Sequence, residues 1–145
     1  MTEVSEIGEE RLPQLVALYR STWWAADRTV EQSARIVANS DVVIGLIDED
    51  DRLVAFARAL TETVAFAMVF DVIVAPQVRG TGLGDELMRR LLARAELADV
   101  GSIELVCRPD LIPFYERFGF TGSVGASCLM RRTSDPRLLG PPRAN

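Results

Sequence analysis

The spacing of apolar residues divides the chain into alternating helical and extended stretches. Leu12, Leu15, Val16 and Tyr19 recur at helical intervals, which predicts a helix over 10–22 with Pro13 tolerated in its first turn. Thr29 followed by Gln32 has the form of a capping box and predicts a second helix running through Val37. Val42–Ile47 and Leu53–Leu60 are apolar runs separated by the acidic turn DEDDR, and a third run starts at Val64 or Ala65 and continues to Val74. Over 82–97, the residues Leu83, Leu87, Met88, Leu91, Leu92 and Ala95 make one helical face. Ser102–Cys107 predicts a strand, and Asp110–Phe118 a short helix stopped by Gly119. Val4–Ile7, Phe120–Val124 and Ser127–Arg132 are read as further short strands. The expectation is one mixed α/β or α+β domain around one sheet, with about six to seven strands and about four helices. It would span 1–132, and residues 133–145 would form a loosely ordered tail.

At 145 residues the chain can bury one substantial core. No apolar run reaches the roughly 20 residues needed to span a bilayer, and the N-terminus is acidic rather than signal-like. Two cysteines, Cys107 and Cys128, do not make a disulfide framework. The expected compartment is therefore the cytoplasm, with no membrane partner. The net charge of −5 argues against nucleic acid as a partner.

Two residue types are missing. Without histidine there is no Ser-His-Asp or Cys-His catalysis and no histidine-ligated metal, so no metal is expected. All 16 basic residues are arginine, which removes the Walker-type phosphate loop and Schiff-base chemistry, both of which need lysine.

The stretch VAPQVRGTGLGDEL, 74–87, strings Gly80, Gly82 and Gly84 between an apolar strand and a helix. A helix start offers unpaired N–H groups and about half a positive charge, so this is the composition of an anion cradle. The glycines read G-x-G-x-G rather than G-x-G-x-x-G. That makes a dinucleotide fingerprint a poor fit, even though Glu104 lies at about the right distance. On its own, the loop fits either a phosphate site or a ligand-free glycine turn.

Gln77, Gly80 and Gly82, preceded by FDVIV and AP, match the Gln/Arg-x-x-Gly-x-Gly/Ala pattern of the GNAT superfamily of N-acetyltransferases. PFYERFGF, 113–120, resembles that superfamily's late motif and follows at the usual distance. The resemblance covers roughly 42–131 in element order and implies a single domain with a central, twisted and mostly antiparallel sheet flanked by the helices. It implies transfer of an acetyl group from acetyl-coenzyme A to a primary amine of a small molecule or peptide. Transfer of a different acyl group and a non-catalytic acyl-coenzyme A sensor are the alternatives, and the resemblance leaves a homodimer open. The cofactor residues it implies are Val72, Ile73 and Val74 along the pantetheine arm and Gln77, Val78, Arg79, Gly80, Thr81, Gly82, Leu83, Gly84 and Asp85 around the pyrophosphate. Arg108 stands where many members carry Asn, and an arginine there could serve the cofactor's phosphates.

Tyr115 shares a helical stripe with Leu111, Phe114 and Phe118, so its ring is expected in the core. The resemblance gives its hydroxyl a partner, the departing sulfur. Proton transfer from a free phenol to a thiolate is uphill by about 2 kcal/mol, so hydrogen bonding would matter more than transfer. Cys107 is expected to be buried and inert, and Arg89, Arg90 and Arg94 to form a solvated helix face with Asp85 and Glu86. The segment TWWAADR, 22–28, is read as helical. Adjacent tryptophans there cannot both face one core, so at least one meets a cleft or solvent; one in the core with the other as a surface cap fits equally. The resemblance implies that this region lines the acceptor side, which makes Trp23, Trp24 and Arg28 candidates for an acceptor wall. Arg58 and Asp71 each interrupt an apolar strand. A two-residue hairpin turn at Val64–Ala65 would set them opposite each other, unless a bulge before Asp71 reoriented it. Asp71, so paired, would be a poor base and is expected to position Arg58 or a substrate ammonium.

Overall fold

The computed structural model describes residues 1–140. Its five strands are β1 (Thr2–Val4), β2 (Val42–Ile47), β3 (Leu53–Thr61), β4 (Phe66–Val74) and β5 (Ser102–Leu105), and they lie in that order across one sheet. The first three pairings are antiparallel, and β4 with β5 is parallel. The helices are α1 (Leu12–Arg20), α2 (Val30–Ala38), α3 (Leu83–Leu92), α4 (Ala95–Ala98) and α5 (Ile112–Glu116). This is the mixed α/β class expected.

Every residue of β2 and the first five of β3 are buried. Side chains on a strand alternate between faces, so burial of consecutive residues means that the sheet is covered on both sides. Leu15, Tyr19 and Leu18 of α1 and Leu83, Leu87, Met88 and Leu91 of α3 join Ile44, Leu46 and Phe56 in a single core. Local chemistry sets the helix ends. Ser21 and Thr22 hydroxyls donate to the carbonyls of Leu18 and Tyr19 and close α1. The Thr29–Gln32 capping box starts α2 with both reciprocal bonds made, at 3.1 and 2.9 Å.

Several expected elements differ. Residues 120–124 and 127–132 form no strands, which brings the sheet to five strands among the described residues. Gly122 and Gly125 interrupt that stretch, Leu129 and Met130 are adjacent rather than alternating, and 121–132 are exposed throughout. The first strand lies at 2–4 rather than 4–7, set by Val4 pairing with Gly45. The helix expected over 82–97 breaks at Arg94, whose backbone is extended (ψ 139°) and whose guanidinium donates to the Val43 carbonyl at 3.1 Å. Arg94 is thus a tertiary contact, not part of a solvated face. In the former tail, Pro136–Leu138 forms a 3-10 turn and Arg137 pairs with Asp27 at 3.2 Å. Residues 141–145 lie outside the described residues.

Candidate active site

The site is organised by an irregularity in the β3–β4 ladder. Ala55 faces Val74 and Phe56 faces Ile73, but Arg58 faces Phe70, so Ala57 stands against both Asp71 and Val72. Asp71 is the extra residue, with φ at +56°. A left-handed conformation is tolerated by aspartate better than by most residues, and a bulge of this kind re-aims a side chain. The hairpin turn is also longer than expected. Glu62 caps it by accepting from the N–H groups of Val64, Ala65 and Phe66, at 3.2, 2.8 and 2.7 Å.

The expected Arg58–Asp71 pair forms despite the register change. Arg58 Nε donates to Asp71 Oδ2 at 2.7 Å. Two further donors, which the sequence reading did not assign, reach the same oxygen: Arg28 Nη1 at 2.8 Å and the Tyr19 hydroxyl at 2.9 Å. The Asp71 side chain is only 4% exposed, against 13% for Arg58 and 24% for Arg28. Two guanidiniums around one carboxylate leave the cluster with one excess positive charge. Burial, and then the charge of Asp71, push the Tyr19 phenol well above its ordinary value, so it stays protonated and donates. The Arg28 guanidinium also lies over the rings of Tyr19 (4.5 Å) and Trp24 (5.4 Å), and Arg58 over Phe70 (4.7 Å). A buried tyrosine on α1 was the available clue, since such a hydroxyl needs a partner.

On the other side of β4 the sheet opens. The parallel ladder with β5 ends at Val69 and Leu105, while β4 continues to Val74. The outer edge of Phe70–Val74 is therefore free of β5. The expected strand over 102–107 stops at Leu105 for the same reason. A cleft of about 1360 Å³ extends from α2 across this opening to the segment after β5. Arg28, Asp71, Val72, Arg108 and Tyr115 line it together with both tryptophans. Trp23 is 49% exposed and Trp24 half-buried with its ring edge-on to Tyr19. They sit in a loop of turns and bends, not in a helix, with Thr22 Oγ1 accepting from the Ala25 N–H at 3.1 Å.

Tyr115, on α5, is buried, and its ring packs edge-on against Phe114 and Phe120. Its hydroxyl makes no hydrogen bond among the described residues. Burial and the neighbouring Cys107 push its phenol up to about 12. Cys107 lies past the end of β5, half-buried on the cleft wall beside Tyr115, rather than within a buried strand face. Arg108 is exposed and pairs with Asp110 at 3.3 Å.

The glycine loop lies outside the lining of this cleft. Gly80 and Gly82 have φ of +79° and +84°, which is costly for any residue with a Cβ, and a Cβ at either would meet nothing within 4 Å. Among the described residues, no N–H from Gly80 to Asp85 donates to another group; the first to do so is that of Glu86, to the Gly82 carbonyl at 3.1 Å. Six consecutive donors at the start of α3 are thus available to an anion, and the Cβ sides of Gly80 and Gly82 are open. Side chains fix the loop from behind: Arg79 Nε donates to the Val74 carbonyl (3.1 Å) and the Thr81 hydroxyl to that of Val78 (2.6 Å). Leu83 is buried in the core, and Gly84 lies against the Phe114 ring. Gln77 is exposed and Val78 half-buried. Asp85 pairs with Arg117 rather than with Arg89, which donates to the Asp85 carbonyl.

Comparison with known proteins agrees with this geometry. The sequence profile of the Acetyltransferase (GNAT) family matches residues 8–120. The N-acetyltransferase ycf52 of Porphyra purpurea is 34% identical over 112 residues, covering 75% of this chain and 64% of its own length. Serotonin N-acetyltransferase 2, chloroplastic, of Oryza sativa subsp. japonica is 38% identical over 96 residues, 64% of this chain and 48% of that protein. The chain thus spans less than two thirds of the length of these relatives. Among solved structures, an acetyltransferase ascribed to the GNAT family from Xanthomonas campestris pv. campestris superposes with a TM-score of 0.76 at 29% identity, covering 92% of this chain and 94% of its own.

Proposed function

Because the chain belongs to the GNAT family of acetyltransferases, we propose that it moves an acetyl group from acetyl-coenzyme A to a primary amine of a small molecule or peptide, by direct attack. The observation that carries this is the run of unused N–H groups from Gly80 to Asp85 at the start of α3. These donors, with Gln77, Val78 and Arg79, hold the pyrophosphate. The free edge of Val72, Ile73 and Val74 pairs with the pantetheine arm as an added strand, and a backbone N–H there polarises the carbonyl under attack. Arg108 reaches the cofactor's phosphates. When bound, acetyl-coenzyme A supplies the acetyl group as an activated thioester.

Tyr115 donates a hydrogen bond to the departing sulfur. With its phenol at about 12, full transfer of the proton to a thiolate near 8.5 is uphill by about 5 kcal/mol, so the hydroxyl acts by hydrogen bonding. Trp23, Trp24 and Arg28 form the acceptor wall. Asp71 is a positioning residue: its Oδ2 is already taken by three donors, which suits holding Arg28 and Arg58 better than accepting a proton from the amine. The excess positive charge of this cluster disfavours an ammonium beside it and thereby favours the neutral, attacking amine.

No helix of the described residues is long and apolar enough to cross a membrane, and Cys107 and Cys128 form no disulfide. Both suit the cytoplasm, which we assign as the working compartment.

The test is thiol release from acetyl-coenzyme A across a panel of amines, alongside thermal melting. Acetyl-coenzyme A at 100 times its Kd adds about 2.7 kcal/mol of stability. Tyr115→Phe lowers kcat and leaves the Kd for acetyl-coenzyme A nearly unchanged. No stabilisation at millimolar acetyl-coenzyme A would remove the cofactor assignment. Stabilisation without thiol release would leave an acyl-coenzyme A sensor, and faster turnover with a longer thioester would reassign the acyl group.

A further inference from the structure

The charge of the cleft runs against that of the whole chain. Six arginines and three aspartates line it, an excess of positive charge in a protein of net charge −5. Some of that charge is already matched. Arg137 pairs with both Asp27 and Asp135, and Arg108 pairs with Asp110. Arg131 makes no ion pair among the described residues and donates to the Leu138 carbonyl at 2.8 Å; the rest of the unmatched charge collects where α2 faces the bulge. Arg28 and Arg58 share the single carboxylate of Asp71, and Arg35 makes no ion pair among the described residues.

These side chains also have donors to spare. Arg28 commits only Nη1, and Arg58 commits Nε to Asp71 and makes a long contact from Nη1 to Ser40 at 3.5 Å. Gln32 and Arg35 on α2, and Asn39 just past its end, line the same cleft, so the helix turns polar side chains toward it. Keeping the largely buried Arg58 guanidinium beside a second cation is costly unless an anion is added. The pyrophosphate cradle does not account for this charge, because no residue from Ile73 to Glu104 lines the cleft.

We infer that the acceptor amine carries an anionic group, a carboxylate or a phosphate, which Arg35 and the spare N–H groups of Arg28 and Arg58 hold beside the bulge. This rests on the acetyltransferase reading. The anion anchors the acceptor by charge-assisted hydrogen bonds. That leaves its amino group neutral and turned toward the β4 edge.

The experiment compares matched acceptors by thiol release: 2-aminoethyl phosphate against ethanolamine, and phenylalanine against phenethylamine. The anionic member of at least one pair is expected to have a kcat/KM at least about tenfold higher. Which pair responds distinguishes phosphate from carboxylate. Arg35→Gln, a substitution on an exposed helix face, shrinks that ratio severalfold by raising the KM for the amine and not that for acetyl-coenzyme A. Neutral amines used as well as their anionic partners would overturn the inference while leaving the acetyltransferase reading intact. So would an Arg35→Gln effect on the KM for acetyl-coenzyme A alone. If no amine is turned over, quenching of Trp23 and Trp24 fluorescence by 2-aminoethyl phosphate and phenylalanine, with coenzyme A present, reads the subsite directly. Saturable quenching that Arg35→Gln weakens supports the inference, and its absence overturns it.

Discussion

Replacing Asp71 tests the organisation of the site through stability alone, with no assumption about chemistry. Asp71→Ala removes the acceptor of three hydrogen bonds. The Tyr19 hydroxyl, in a residue with no exposed surface, is orphaned at a cost of about 1–3 kcal/mol. Alanine at a φ of +56° adds about 1 kcal/mol. Arg58 and Arg28 lose their counter-charge, a loss reduced because both line the cleft and can turn to water. Together these effects give about 4 kcal/mol, and for a domain of this size a melting temperature lower by roughly 14 °C. Asp71→Asn keeps an acceptor oxygen and a side chain that tolerates positive φ and loses only the charge assistance, so it costs about 2 kcal/mol. Urea unfolding of the parent and both variants measures this, provided the three share one m-value. If alanine costs less than 1 kcal/mol, or asparagine costs as much as alanine, the cluster does not hold the bulge as argued.

The two tyrosines of the chain, Tyr19 and Tyr115, both have phenols raised above 10 in the folded state. A raised value means stability is complete below pH 10 and falls above it, by about 1.4 kcal/mol per pH unit for each phenol, through pH 12 for Tyr115. Phenolate absorbance should therefore stay low in the folded protein at pH 10.5 and rise on adding denaturant; half-titration while still folded would contradict the burial argument. Gly82→Val meets no steric neighbour, but a β-branched residue at a φ of +84° costs about 2 kcal/mol. It is expected to abolish the melting shift caused by acetyl-coenzyme A, and a full shift in that variant would show that the cradle is not the binding element.

The parts of this fold that could be read from sequence are those fixed by local chemistry. Val42–Ile47 is a strand with the expected limits because an uninterrupted apolar run of that length buries only within a covered sheet. The Thr29–Gln32 box starts α2 because both of its bonds are made within four residues. What escaped depends on partners distant in the chain. Nothing near Arg94 in sequence says that its guanidinium reaches the Val43 carbonyl and ends α3 early. Tyr19 and Arg28 converge on Asp71 across separations of 52 and 43 residues, so only the single strand-to-strand pair was legible. Even that pair was reached with a register that holds for Phe56 and Ile73 and fails beyond the bulge. The chain between 120 and 132 has strand-forming residues but no period of two to fix a face, and it stays off the sheet.

The four paired positions joining β4 to β5 have a mechanical meaning as well. Residues 106–140 attach to the sheet beyond a seam half the length of the nine-residue strands that meet at the β3–β4 ladder. Under load or thermal agitation a short parallel seam yields before a long antiparallel one, so the segment beyond β5 can tilt against the sheet while α3 stays packed with β2 and β3 in the common core. The gap beyond the end of that seam makes any occupant lying along both strand edges a splint across the joint. Loading such a splint stiffens the joint, and ejecting it requires the two edges to part.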